Sequence, residues 1–489
     1  MSSGRPSRFG GWRLVRVVAA IQFLQSGLLL NVFSDYADAL KEQFGWSRTT
    51  LSVAFAMTRA ESGLLGPLQG WMVDRFGPRR IIRIGAVIFG LGFIGLSRID
   101  SLGGFFGFYL MTAVGASLCG FLTLTTVLVN WFRARRATAL AMAQVGFAAG
   151  GLLVPGVAWW ISSHGWRSAA LITGVAVIIV IVPLASLVHH RPADVGEKVD
   201  GGQKGPRRLT RMYVTDVDYT AREALRTRAF WMISLGHASA LFAVSAVLAH
   251  RAIYLTDERG WTNLASGLVG GAIVGMQFLG QLVGGFLGDR IDKRYIAATA
   301  MVGHMTGLLL FAHAGTTWMV WAFVPLHGLA WGARGPLMQA MRADYFGASS
   351  FGTIMGFSSL VVMLGMMGGG LLAGVMADAF DTYTPGFTLL ALGSGSGAMF
   401  FLLLRPPPPP SRVVAVTQDG AAAVPPANGA VEVPPVAVPS GNGALAVPSG
   451  DVGVPAGTGD GEGAPSTVWE RERGPTRAVR SEGTGGIEQ

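Results

Sequence analysis

Apolar residues run along this chain in blocks long enough to matter one at a time, each closed by a short polar segment. Crossing a bilayer as a helix takes about 20 predominantly apolar residues. Segments of that kind recur at 14–35, 50–73, 81–97, 104–130, 138–160 and 168–188, and again at 230–250, 264–288, 295–313, 317–341, 352–376 and 386–404. Between the two sets lies a basic stretch with proline and glycine, from His189 to Arg228. The pattern predicts an all-α integral membrane protein with twelve transmembrane helices in two pseudo-symmetric six-helix bundles. Its expected parts are an N-terminus (1–13), a first bundle (14–188), a linker (189–228), a second bundle (229–404) and a tail (405–489).

Composition agrees. The 489 residues are 51% hydrophobic and only 13% charged, with mean hydropathy +0.45, against roughly a quarter charged in soluble domains. The 70 glycines lack the three-residue period of collagen and suit close helix packing in lipid. A single cysteine, Cys119 in an apolar run, excludes a disulfide framework and reads as a packing residue. The net charge of +10 does not imply nucleic acid, because the arginines cluster in short segments between apolar blocks. Arg75, Arg79, Arg80 and Arg83, then Arg133, Arg135 and Arg136, then the linker, then Arg290, Lys293 and Arg294 share one side. The opposite loops are balanced or acidic, so the positive-inside rule puts both termini and the linker in the cytoplasm. A multi-pass protein of the plasma or inner membrane is expected, with the bilayer as its surroundings. The basic start (Arg5, Arg8, Arg13, Arg16) enters a full-length span without a cleavage site, so no signal peptide is expected. Five prolines, Pro406 to Pro410, open a tail with almost no aromatics, expected to be disordered and cytoplasmic.

One long repeat is visible. Gly70-Trp-Met-Val-Asp74-Arg75-Phe-Gly77-Pro-Arg79-Arg80 follows the second span, and Gly285-Phe-Leu-Gly-Asp289-Arg290-Ile-Asp292-Lys293-Arg294 follows the eighth. Asp74 and Asp289 stand 215 positions apart, and internal repeats are how many secondary transporters are built. At these residues the chain resembles the major facilitator superfamily, over about residues 13 to 404. The second copy has Asp292 where the first has Gly77. Phe44-Gly45-Trp46-Ser47-Arg48, Asn130-Trp-Phe-Arg-Ala-Arg-Arg136 and Ala343-Asp344-Tyr345-Phe346-Gly347 look like the monocarboxylate and oxalate/formate transporter branch. The resemblance implies that Asp74 faces the start of span eleven near Gly352, and Asp289 the start of span five near Ala137. Together with Gly70, Arg75, Gly77, Arg79, Arg80, Gly285, Arg290 and Arg294 they would form a cytoplasmic gate. It also implies that spans one, four, seven and ten line a central cavity, and that the protein is a monomer.

Glycine pairs four apart recur on spans two, five, eight and eleven, among them Gly66/Gly70, Gly146/Gly150, Gly271/Gly275 and Gly280/Gly284. They are expected to pack where the bundles meet. Ionisable residues inside spans are costly and therefore candidates for function. Arg59 and Glu61 fall in span two, about 200° apart on the helix. His327, Trp331 and Arg334 share one face of span ten, with His237, Gln25 and Asn31 as further polar lining. Two intramembrane arginines against one carboxylate make a net positive site. The expected cargo is a small organic anion, a monocarboxylate or dicarboxylate, with Glu61 as the proton carrier if transport is proton-coupled. The residues leave uniport, symport and antiport open. A non-transporting sensor or scaffold with the same fold, an exporter of drug-like hydrophobic compounds and a passive channel are the alternatives. Walker A, H-E-x-x-H and G-x-S-x-G motifs are missing, so no enzyme, no cofactor and no metal site is expected.

Overall fold

The computed structural model describes residues 9–412, without the side chains of residues 48, 49, 52, 55, 56 and 59. The N-terminal residues 1–8 and nearly all of the expected tail, 413–489, lie outside the described residues. What is described belongs to one compact unit, and its regular structure is helical throughout.

Twelve long helical segments follow one another: α1 (Gly11–Phe44), α2 (Arg48–Leu64, continued by Gly66–Phe76), α3 (Pro78–Leu96), α4 (Leu102–Trp131), α5 (Arg136–His164), α6 (Trp166–Ser186), α7 (Arg228–Glu258), α8 (Asn263–Gly288), α9 (Lys293–Ala312), α10 (Thr317–Phe346), α11 (Phe351–Phe380) and α12 (Thr384–Leu402). Among the described residues, nine of these are by themselves long and apolar enough to cross a membrane. The other three are α2, α3 and α10. Pro67 divides α2 at Leu65, α3 opens on Arg79, Arg80 and Arg83, and α10 carries His327, Arg334 and Arg342. Each of the three is interrupted by proline or carries several cationic side chains, which lowers its hydropathy.

Local chemistry sets the boundaries. Hydroxyls of Ser47, Thr227 and Thr262 accept from the backbone N–H three residues on and start α2, α7 and α8. Gly77, Gly165 and Gly347 end α2, α5 and α10 at φ near +80°, a conformation that disfavours a side chain. Asp292, in the place of Gly77, works differently: its carboxylate accepts from the Arg294 N–H at 3.0 Å and caps α9. A π-helical turn at Ser26–Leu30 interrupts α1, and α10 contains Pro325 and Pro336.

Helix α3 packs between α4 and α6, and α1 lies along α5. Helices α7 with α11, α8 with α10, and α9 with α10 and α12 form the matching set. The two sets meet through α2 on α11 and α5 on α8. The segment 187–227 crosses the motif-loop end. Asp200 accepts there from the Arg133 and Ala134 N–H groups, at 3.1 and 2.8 Å. Asp218 accepts from those of Ala348 and Ser349, at 2.8 and 3.3 Å. Both recipients are the turns that precede α5 and α11, 215 positions apart. Between these two anchors, Leu209 N–H donates to the Arg290 carbonyl at 2.7 Å, and Thr215 N–H to that of Asp344 at 2.8 Å.

Candidate functional site

At the motif end two carboxylates join the two sets of helices. Asp74 accepts from Gly352 N–H at 3.0 Å, and from Thr353 N–H and Oγ1 at 2.7 Å each. Asp289 accepts from Ala137 N–H at 2.9 Å and Thr138 N–H at 3.0 Å. The first N–H groups of a helix have no partner within it and carry the positive end of its dipole, so a carboxylate satisfies both needs at once. The 215-residue offset holds for donors and acceptors alike.

Backbone proximity makes this possible. A Cβ on Gly70 would lie 2.1 Å from the Gly352 carbonyl oxygen, and one on Gly66 2.9 Å from that of Gly356. A Cβ on Gly285 would lie 2.4 Å from Ala141 Cβ. Several other glycines turn inward, contrary to expectation: Gly146 packs on Ala19 of α1, and Gly280 and Gly284 pack on Leu329 and Ala333 of α10. Nothing lies within 4 Å of a Cβ built on Gly271 or Gly275. Spacing identifies a small face, but which helix fills it is a tertiary fact.

The remaining motif residues play unequal parts. Arg75 and Arg80 are exposed, and the buried Nε of Arg79 has no acceptor. Arg290 donates to the Phe286 carbonyl at 2.8 Å and stacks on its ring. Arg294 clasps Asp292 and donates to the Leu404 carbonyl at 2.8 Å. A buried ion triad adds to this contact: Asp344 of α10 pairs with Arg136 of α5 and, at 2.7 Å, with Lys293 of α9. All three side chains are nearly excluded from solvent. In the sequence, Arg136 and Lys293 stand out as loop charges and within quoted motifs and Asp344 within a family-like string, and nothing there joins the three into one site.

Above this closure is a cavity of about 280 Å³, lined by His237 of α7, by Trp331, Arg334, Gln339 and Arg342 of α10, and by Ser359 of α11. A second space of about 230 Å³ adjoins it, sharing Phe121, Met355, Ser359 and Val362, and brings in Ser62, Gln69 and Ser117 from α2 and α4. Arg334 is 1% exposed and Arg342 3%. The guanidinium of Arg342 donates to Ser358 Oγ, Gln339 Oε1 and His237 Nδ1, each at 2.9 Å. A guanidinium only donates, so His237 presents its lone pair at Nδ1 and is the Nε2–H tautomer. Arg334 is less satisfied, since its Nε and Nη1 have no acceptor. Neither arginine forms an ion pair among the described residues. Arg342 and Gln339 escaped the sequence reading, although Arg342 stands about three turns beyond Trp331 on the same face of α10.

The other candidates scatter. His327 is fully buried and meets His304 across 3.1 Å, Nδ1 to Nδ1, behind the cavity wall. Glu61 is buried and accepts from Ser62 Oγ at 3.1 Å. Gln25 donates to the Ala116 carbonyl at 3.0 Å and to Cys119 Sγ at 2.9 Å. Asn31 donates to Ser26 Oγ at 2.9 Å. Helix α1 therefore spends its amides inside its own neighbourhood, and α11 supplies lining in its place. The Arg59 side chain lies outside the described residues.

Known proteins share both sequence and shape with this molecule. The oxalate:formate antiporter of Oxalobacter formigenes is 24% identical over 356 residues, 70% of this chain and 80% of that protein. Human monocarboxylate transporter 11 is 28% identical over 409 residues, 79% and 81% of the two chains. The cis,cis-muconate transport protein of Acinetobacter baylyi is 24% identical over 74% of this chain and 88% of its own. Among solved structures, the human organic anion transporter MFSD10 (TETRAN) superposes with a TM-score of 0.61 at 16% identity, over 81% of this chain and 99% of that one. The proton:xylose symporter XylE superposes equally well at 14% identity, over 81% and 96%. The model of the Major Facilitator Superfamily matches residues 17–278 and 252–448. Repeated motif, helical architecture and family match agree: this multi-pass membrane protein is a transporter, not an enzyme, and belongs to the Major Facilitator Superfamily.

Proposed function

We propose that the protein carries a small carboxylate-bearing organic anion across the plasma or inner membrane by alternating access, with α1–α6 and α7–α12 as the moving halves. One observation carries the reading: two buried guanidiniums, Arg334 and Arg342, share a cavity wall with no carboxylate paired to either among the described residues. A buried charge without a counterion is costly, and an anionic ligand supplies the missing partner. Arg334, with free Nε and Nη1, offers a fork to a carboxylate. Trp331 and the Met355–Val362 side provide an apolar wall. The similar proteins named above, for oxalate and formate, monocarboxylates and muconate, favour the same substrate class.

In this scheme the motif end is the cytoplasmic side, a reading supported by its arginines, and the chain as described is closed there. Asp74 and Asp289 hold that side shut, and opening it means withdrawing both carboxylates from their helix starts. Glu61, buried beside the second space, is the proton carrier of this scheme. Counterflow of radiolabelled oxalate, lactate and muconate in proteoliposomes tests the reading. Exchange of at least one, abolished in Arg334→Ala, is expected; unchanged exchange in that variant would remove the assigned site. Acid-driven accumulation that persists in Glu61→Gln would remove the proton role alone.

A further inference from the structure

A second built cavity lies away from the substrate path, at the motif-loop end where α7 begins and α12 ends. It measures about 730 Å³ and is lined by Arg226, Arg228 and Arg405, with Tyr219, Glu223 and the run Pro406–Pro410 as its wall and Met232 and Leu403 as its floor. We propose that this cavity holds the phosphate headgroup of an anionic phospholipid.

The wall is pinned. Tyr219 donates its hydroxyl to the Pro408 carbonyl at 3.0 Å and reaches that of Pro407 at 3.4 Å. Arg412, just past the prolines, pairs with Glu223 at 3.0 Å. Glu223 also accepts from the Thr220 N–H at 2.8 Å, and that bond holds its carboxyl below the usual carboxylate range. The single acid of the cavity is therefore already engaged as an anion. Proline has no N–H, so the polyproline wall brings carbonyls but no amide donors. The strong donors left are the three guanidiniums, and none is held by a side-chain hydrogen bond or ion pair among the described residues.

Charge and surroundings select the ligand. Three free guanidiniums suit the paired non-bridging oxygens of a phosphodiester. Directly beside them, Trp231, Leu235, Met399 and Leu402 are 40–62% exposed on α7 and α12, an apolar surface for acyl chains below the headgroup. Basic pockets between helices on the cytoplasmic side are suited to anionic lipid headgroups. The positive-inside rule asks only for loop charge and does not call for a walled cavity. A soluble phosphate would use the same guanidiniums but would leave the apolar flank idle.

The test uses the full chain, purified and reconstituted in nanodiscs of phosphatidylcholine with a minor share of phosphatidylglycerol, with retained lipid read by native mass spectrometry. Enrichment of phosphatidylglycerol is expected, falling by about fivefold for each arginine replaced by glutamine among Arg226, Arg228 and Arg405. A control that removes equal charge, Arg13→Gln with Arg16→Gln and Arg208→Gln, should keep the enrichment. Tyr219→Phe retains every charge and loosens only the wall, and should lower enrichment about twofold, on the scale of one lost neutral hydrogen bond. Equal retention of both lipids by the wild type, or equal loss in the control, overturns the proposal. So does complete displacement of the lipid by millimolar inorganic phosphate, which would make this a site for soluble anions.

Discussion

Two regions of this molecule bury charge, and they treat it in opposite ways. At the motif end the three carboxylates that join the two sets of helices are answered: Asp74 and Asp289 by helix N–H groups, Asp344 by Arg136 and Lys293. In the cavity, reached by going back along α10 by up to about three turns, Arg334 keeps two unbonded nitrogens and Arg342 is solvated by neutral acceptors alone. A saturated network stabilises one arrangement of the chain. An unsaturated one has capacity for something the chain does not contain. Burial does not separate the two; partner count does.

The sharpest way to break this comparison is to remove charge from each region. Asp344→Asn leaves two buried cations at the motif end and is expected to cost about 3–5 kcal/mol of stability, read as a large fall in thermal unfolding temperature in detergent. Arg334→Met should do the reverse. It should abolish anion exchange while leaving the unfolding temperature equal or higher, because replacing an uncompensated buried ion with an apolar side chain is neutral or stabilising. If Arg334→Met destabilised as much as Asp344→Asn, the two regions would be alike and the distinction would fail. Asp74→Asn should cost about 1.5–3 kcal/mol from weakened charge-assisted bonds, with greater labelling of single cysteines placed on the motif side of α2. The smallest effect concerns Glu223, whose pKa is depressed when folded. Its contribution is present above the ordinary glutamate range and is lost as pH falls through the lower folded value. Proteolysis of the linker near residue 220 should rise in that acid window and not at neutral pH.

Much of the closure is legible in the sequence, because it repeats. Two copies of a loop, 215 positions apart, single out two carboxylates, and the family resemblance supplies the helix start that each one meets. The cavity is less legible because it does not repeat. Arg334 lies 215 positions beyond Cys119, and Arg342 beyond Val127, so symmetry offers no second reading. Helix α1 shows another limit. Its amides Gln25 and Asn31 look like cavity lining by span number, yet the π-helical turn at Ser26–Leu30 resets the helical phase, and both bond inside the first six helices. Likewise His327 shares a face with Trp331 and Arg334, but a helix 30 residues long with two internal prolines changes neighbours along its length.

Two of the linker's ties, at Asp200 and Leu209, have a consequence in chain length. Asp200 is tied to the turn before α5 and Leu209 to the loop after α8, which leaves nine residue steps to cross from one half to the other. Fully extended, such a stretch reaches roughly 30 Å. While both ties hold, it is a tether with a fixed ceiling: the motif side can part no further than that strand allows. Deleting residues between 201 and 208 would lower the ceiling one step at a time, a ruler for measuring how wide the protein must open to release its cargo.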